Sequence, residues 1–151
     1  VLVADTAGTR SVAGGNALRD AGTMEMEAGE GRRARRLFER AIEAYESAGE
    51  EGELLGRAKL ELGFAMLRAD PRALAVRKRA SEEIRSGLLL LEHAFGMGSE
   101  ELIAIYEQLA RRLERTAHAG ADSRLVELVD KRLGRHRAAR KRRELRRDLG
   151  R

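Results

Sequence analysis

Residues 37–67 read LFERAIEAYESAGEEGELLGRAKLELGFAML, and this stretch decides the fold class. Its apolar residues recur every three or four positions on both sides of Gly49, the pattern of two amphipathic helices. Glycine directly after the last periodic residue is typical of a helix end, so Gly49 predicts the turn between them. The second helix has apolar residues on two faces, which predicts packing on both sides. The stretch therefore indicates a helical hairpin within a larger helical domain.

The composition of the whole chain extends this prediction. The 151 residues include 3% aromatic residues, one proline and no cysteine. Such a composition, rich in alanine, leucine, glutamate and arginine, favours helices and excludes a β-sandwich or β-barrel. The lack of cysteine excludes disulfides, thiolate zinc sites and cysteine nucleophiles. The chain is long enough for one domain, or for one domain with a tail.

Periodicity and cap residues predict about six helices in an all-α fold of stacked antiparallel hairpins. The expected spans are about 15–28, 32–48, 51–69, 70–95, 99–118, and from 123 into the C-terminal end. Asp70 is expected to cap the fourth helix, with Pro71 as its first residue. On the first helix the apolar stripe is Leu18, Ala21, Met24 and Ala28. The predicted core comprises Leu18, Phe38, Leu62, Phe64, Ile84, Leu88, Ile105, Tyr106, Leu109 and Leu125.

The net charge of +5 is distributed unevenly. Residues 131–151 contain eleven lysines and arginines against two acidic residues, a net charge of +9, so residues 1–130 carry −4. A mildly acidic body with a basic end indicates an anionic partner at one end only. We expect a flexible lead-in over 1–14, a helical-hairpin repeat domain over 15–130, and a basic helical extension over 131–151.

The first hairpin resembles the tetratricopeptide repeat. In that family an apolar residue and a Leu-Gly pair on one helix precede Ala-x3-Phe on the next. The matching residues here are Leu18, Ala21 and Gly22, followed by Ala34, Phe38 and Ala41. A second, longer-spaced unit contains Leu62, Gly63 and Met66, then Ala80, Ile84 and Gly87. The chain departs from the family at Glu25, where an aromatic residue is usual, and at Glu46, where a proline is usual.

The resemblance implies a right-handed superhelix of hairpins that binds a protein or peptide partner without a cofactor. Members of the family hold their partner in a groove lined by the first helix of each pair. The positions that would line this groove here are Arg19, Thr23, Lys59 and Arg68. The resemblance therefore predicts a non-enzymatic scaffold or adaptor.

The sequence predicts neither a catalytic nor a metal site. Neither His93 nor His118 has a second histidine three or four positions away, as an HExxH-type metal site requires, so we expect both to have structural roles near helix C-termini. Adjacent glutamates do not share a helix face, which makes them poor candidates for acid–base catalysis. We expect solvated surface or first-turn charges at the pairs Glu50-Glu51, Glu82-Glu83 and Glu100-Glu101.

The basic end admits several functional interpretations beside a solvated helix end. Its cations could contact the phosphates of RNA or DNA, an acidic protein, or an anionic membrane surface. Because residues 131–151 contain no aromatic side chain, a nucleic-acid contact would be made to the backbone and not by base stacking. The expected contact residues are Arg135, Arg137, Arg140, Lys141, Arg142, Arg143, Arg146 and Arg147.

Three functions thus remain open. The first is a protein-binding adaptor with a basic C-terminal contact element. The second is a nucleic-acid-associated helical protein that uses residues 131–151. The third is a homo-oligomeric helical bundle, suggested by the two apolar faces of the third helix. No apolar run is long enough to cross a bilayer, and residues 1–9 lack the features of a signal peptide, so a cytoplasmic location is expected.

Overall fold

The computed structural model describes residues 10–117 and 122–150. Within these residues the protein is all-helical, with six helices and no strand, which confirms the predicted fold class. The helices are α1 (Val12–Glu27), α2 (Gly31–Ser47), α3 (Glu53–Ala69), α4 (Leu74–Phe95), α5 (Glu100–Ala117) and α6 (Ser123–Leu149). Ser11 caps α1 by accepting a hydrogen bond from the Gly14 N–H at 3.0 Å. Residues 12–14 are therefore helical and not part of a lead-in. Residues 1–9 and His118 lie outside the described residues.

The chain divides into two compact units, with the boundary between Leu91 and Glu92 in α4. Unit 1 contains α1, α2, α3 and most of α4. Unit 2 contains the last turn of α4 together with α5 and α6. The boundary falls within the predicted repeat domain over 15–130. Each unit has its own buried core.

In unit 1, α1 packs on α2 through its glycines and not through the predicted apolar stripe. Only Gly15 and Gly22 are buried on α1, whereas Leu18 is half-buried and Met24 is 70% exposed. The rings of Tyr45 and Phe38 lie directly on these glycines, where an added methyl would come within 2.5 Å and 2.8 Å of ring carbons. Two buried aromatic rings of α2 supply most of the apolar surface between the two helices. The backbone of α1 can therefore pack directly on these rings without large side chains of its own.

The third helix is packed on both sides, as its two apolar faces predict. Ten of its residues are buried. Its N-terminus is capped by the Glu50 carboxylate, which accepts hydrogen bonds from the N–H groups of Gly52 at 2.9 Å and Leu55 at 2.8 Å. Glu50 was expected to be a solvated charge, and its capping role is a correction. The remaining predicted core residues besides Leu18 are all buried.

The contact between α3 and α4 depends on three glycines. A methyl group added at Gly87 would lie 2.6 Å from the Gly56 carbonyl oxygen and 3.1 Å from the Leu60 nitrogen. An added methyl at Gly63 would lie 2.9 Å from the Ala80 carbonyl oxygen. These neighbours are backbone atoms, which cannot rotate away, so the two helix backbones approach as closely as the glycines permit.

We predict that Gly87→Ala destabilises the protein even though alanine is the better helix former. Overpacking against a fixed backbone costs about 1 to 3 kcal/mol, which exceeds the gain of about 1 kcal/mol in helix propensity. The matched control is Gly134→Ala in α6, where nothing lies within 4 Å of the added methyl. That variant is expected to raise the free energy of unfolding by about 0.5 to 1 kcal/mol. Urea unfolding measures the change in the free energy of unfolding, which should be negative for Gly87→Ala and positive for Gly134→Ala. A stabilised Gly87→Ala variant would contradict the close approach of α3 and α4.

The link from α3 to α4 corrects the predicted helix start at Asp70 and Pro71. Asp70 ends α3 by donating its backbone N–H to the Met66 carbonyl at 3.0 Å, and α4 begins only at Leu74. The residue before a proline is disfavoured in the helical conformation, so Asp70 leaves it, with φ −148° and ψ 67°. Pro71 then occupies the second position of a four-residue turn, where proline is favoured.

Unit 2 is a hairpin of α5 and α6 joined to the last turn of α4. Ser99 caps α5, because its hydroxyl accepts a hydrogen bond from the Leu102 N–H at 3.2 Å, and the Asp122 carboxylate caps α6 by accepting one from the Arg124 N–H. Residues 131–136 continue the buried line of α6, with Leu133 and His136 in the core. The first residues of the predicted extension over 131–151 thus contribute two side chains to the core of unit 2. The buried residues of α6 are Leu125, Val129, Leu133 and His136.

Candidate functional site

The four predicted groove residues do not line one groove. Arg19 and Thr23 are one turn apart on α1, where the Thr23 hydroxyl donates to the Arg19 carbonyl at 3.1 Å. Lys59 and Arg68 are nine residues apart on α3, which places them on opposite sides of that helix. Lys59 faces α4, with Nζ 3.2 Å from Ser86 Oγ, whereas Arg68 lies against Gly29 in the α1–α2 turn. The structure therefore does not bring these four residues to one common surface.

The open groove of unit 1 lies instead between α2 and α4. It has a volume of about 510 Å³ and its walls carry both signs of charge. Glu39 pairs across it with Arg79 at 3.8 Å, and Glu83 lies 4.0 Å from Lys59. Of the four predicted groove residues, only Lys59 reaches it. The lining residues are Arg35, Glu39, Ile42, Glu43, Glu46, Lys59, Leu62, Arg79 and Glu83.

Both the acidic excess and the basic excess of the chain lie in unit 2. Residues 1–91 contain fifteen basic and fifteen acidic residues and carry no net charge. Residues 92–130 contain four basic and eight acidic residues, so they account for the whole −4 of the acidic body. Unit 2 consequently combines an acidic portion with the basic end of α6.

The eight predicted anion-contact residues are all on α6, but they fall into different environments. Arg137 pairs with Glu107 of α5 at 2.8 Å, and this guanidinium holds the pKa of the Glu107 carboxyl below its usual value. Three of the eight line a cavity of about 330 Å³ beside the start of α5, where Glu100 and Glu101 also lie: Arg140, Arg143 and Arg147. The other four, which have no ion pair in the described part of the chain, are Arg135, Lys141, Arg142 and Arg146.

A buried polar cluster holds unit 2 together, and Glu92 is its centre. The Tyr106 hydroxyl and His136 Nε2 both contact Glu92 Oε1, the latter at 3.2 Å. Arg132 Nη1 lies 3.4 Å from both carboxylate oxygens. The Tyr106 and His136 rings also contact each other, with centroids 5.0 Å apart. One carboxylate from the last turn of α4 thus joins α5 to α6.

The other nitrogen of His136 determines which tautomer the ring adopts. Its Nδ1 accepts a hydrogen bond from the Gly98 N–H at 3.0 Å, so Nδ1 carries no proton. The proton is therefore on Nε2, which donates it to Glu92. Gly98 has a φ of +75°, and this conformation turns its N–H toward the ring. Burial and the hydrogen bond to Glu92 raise the pKa of the Tyr106 phenol well above its usual value of 10.0.

This cluster was not predicted from the sequence, although His136 carries a recognisable signal. It follows Leu125, Val129 and Leu133 at spacings of four, four and three residues, so it continues the apolar line of α6. The surrounding arginines concealed this periodicity. His93, by contrast, is exposed near the end of α4. In the described part of the chain no group of three or more histidine, aspartate and glutamate side chains is placed to hold a metal ion.

Comparison with protein-family models, with curated proteins and with solved structures found no match. The likeness to tetratricopeptide repeats therefore rests on the residues quoted above. Among the described residues, no helix is long and apolar enough to cross a membrane.

Proposed function

We propose that this protein is a non-enzymatic interaction module, a scaffold of helical hairpins of the tetratricopeptide type with a basic contact element in α6. The observation that supports it most strongly is the change along α6 itself. Up to His136 the helix contributes buried residues to unit 2, whereas residues 141–150 are all exposed. Those ten residues contain five basic and two acidic side chains. A helix end that adds nothing to the core and concentrates positive charge is suited to binding an anionic partner.

For a protein partner, the α2–α4 groove of unit 1 is the best-supported surface. Glu43 and Glu46 are exposed at its edge, and within the described residues neither forms an ion pair. A partner segment with basic side chains would complement them. In this proposal the protein is a cytoplasmic adaptor, and α6 adds a second, electrostatic contact.

A nucleic-acid partner is the second candidate, favoured by the chemistry of the exposed end of α6. Its cations are mostly arginines, which suit phosphate recognition, and the segment has no aromatic side chain on which a base could stack. Such a contact would be made to the phosphate backbone, with little dependence on sequence and strong dependence on salt.

Affinity capture with the full chain as bait separates the two candidates. The informative variants are Glu43→Lys with Glu46→Lys, and a chain lacking residues 137–151; the second keeps His136 and Arg132 in the core. Capture of a protein that survives nuclease and is lost in the glutamate variant supports the adaptor. Capture that nuclease abolishes and that requires residues 137–151 supports the nucleic-acid candidate. If neither variant changes what is retained, neither surface is the contact site.

A further inference from the structure

One side of α6 carries a regular row of five cations, which we call the cation row: Arg124, Lys131, Arg135, Arg142 and Arg146. They follow one another at intervals of seven, four, seven and four residues. Since eleven residues make close to three helical turns, these positions stay within about 60° of one another around the helix. All five residues are exposed. At 1.5 Å per residue the row is about 33 Å long.

The cation row is separated from both the core and the acidic residues of α6. It lies about 120° around the helix from the buried line that ends at His136. Asp130, Glu144 and Asp148 lie about 130° to 170° from the row on the other side, and Glu127 is the nearest acidic position, at about 70°. Within the described residues, no carboxylate forms an ion pair with a member of the row. The row is therefore a continuous surface of one sign of charge.

Other cations of α6 are engaged within unit 2. Arg137 pairs with Glu107, Arg140 lies 3.6 Å from Glu144, and Arg143 donates to the Met97 carbonyl. Arg137 and Arg143 connect α6 to other parts of unit 2, Arg140 pairs within α6, and all three side chains have less freedom to contact a partner. The basic segment thus contains two groups of cations: those that contact other groups of unit 2, and those of the cation row, which are exposed and can contact a partner molecule.

We propose that the cation row binds the phosphate backbone of duplex nucleic acid. This rests on the anionic contact proposed above and names its partner and its residues. A duplex carries one negative charge per about 1.7 Å of its axis when both strands are counted, so a row about 33 Å long spans about one helical turn and meets phosphates of both strands. A protein interface would need aromatic anchors or an apolar cluster, whereas the side of α6 that carries the row offers only two exposed leucines near its C-terminal end, Leu145 and Leu149. A helix lying in a membrane surface would need an apolar face along its length, and the apolar line of α6 from Leu125 to Leu133 is packed in unit 2.

The test compares two variants with the same loss of charge. In the row variant, Lys131, Arg135, Arg142 and Arg146 are each replaced by glutamine. In the matched control, the replaced residues are Arg137, Arg140, Lys141 and Arg147, again three arginines and one lysine of the same helix. Binding of the full chain to a duplex of about 20 base pairs is measured by fluorescence anisotropy between about 50 and 200 mM salt. Circular dichroism establishes that both variants keep their helices.

We expect the wild-type chain to bind and the row variant to bind at least about tenfold more weakly. The dependence of log Kd on log salt should also become shallower by about 3 to 4, because each lost phosphate contact removes about 0.9 from the slope. The matched control should stay within about threefold of the wild type. If both variants lose the same amount of affinity for the duplex, the cation row is not the specific binding surface, and the basic end of α6 contacts anions only through its overall charge. No binding to the duplex, or tighter binding to anionic vesicles or polyglutamate, would overturn the nucleic-acid partner.

Discussion

Replacement of Phe38 by alanine is expected to lower the free energy of unfolding by about 3 to 5 kcal/mol. Phe38 is 0% exposed, and its ring covers Gly22 of the neighbouring helix. Truncation leaves a cavity beside Gly22, and a glycine has no side chain with which to fill it. The lost stability has two parts: the hydrophobic free energy of burying the ring, and the cost of the cavity that remains.

The control is Met24→Ala in the same hairpin. Met24 belongs to the predicted apolar stripe of the first helix, but the structure leaves it 70% exposed, so we expect a change of no more than about 0.5 kcal/mol. Chemical denaturation followed by circular dichroism measures both variants. An unchanged Phe38→Ala variant, or a severely destabilised Met24→Ala variant, would contradict the packing of α1 on α2.

Replacement of Glu92 by leucine is expected to destabilise unit 2 by about 2 to 4 kcal/mol. The Tyr106 hydroxyl and the His136 Nε2–H group would both lose their acceptor while they remain buried. The Arg132 guanidinium would lose its partner as well. Glu114→Gln on the exposed side of α5 is the control, for which a change within about 0.5 kcal/mol is expected. A Glu92→Leu variant as stable as the wild type would show that the cluster does not hold the hairpin.

The phenol of Tyr106 reports on the same cluster independently of stability. The chain has two tyrosines, so a Tyr45→Phe background leaves the absorbance of Tyr106 alone to be titrated. In Glu92→Gln the charged acceptor is gone, and the Tyr106 pKa should fall toward its usual value of about 10. Because the folded state raises this pKa, the unfolded chain loses the phenol proton first. The stability that Tyr106 contributes is fully present below about pH 10 and declines at higher pH.

The helices of this protein could largely be predicted from local sequence signals. The turn at Gly49, the cap at Ser99 and the two-sided packing of α3 each follow from residues adjacent in the chain. The predicted start of α4 was wrong because two sequence signals compete at Asp70 and Pro71. Aspartate and proline form a good helix start, but the same pair also forms a turn, and Asp70 was already needed to end α3.

The α2–α4 groove and the polar cluster around Glu92 were less predictable, because each combines residues from different helices. Lys59 and Arg68 share a helix and a sign of charge, yet they face different neighbours. His136 belongs to the core only because Gly98 and Glu92 supply partners to both of its ring nitrogens. Neither partner can be identified from the residues next to His136 in the sequence.

The sequence by itself determined an all-helical chain and a basic C-terminal end, since helix propensity, caps and net charge depend on residue type and on near neighbours. Only the tertiary structure decided that glycines and not leucines join α1 to α2, that the charge separation belongs to unit 2, and that the basic helix has a packed half and an exposed half. The physical reason is that burial, close backbone approach and ion pairing depend on the surface presented by the neighbouring helix. Identical arginines on α6 therefore serve the fold or remain available according to the side of the helix on which they lie.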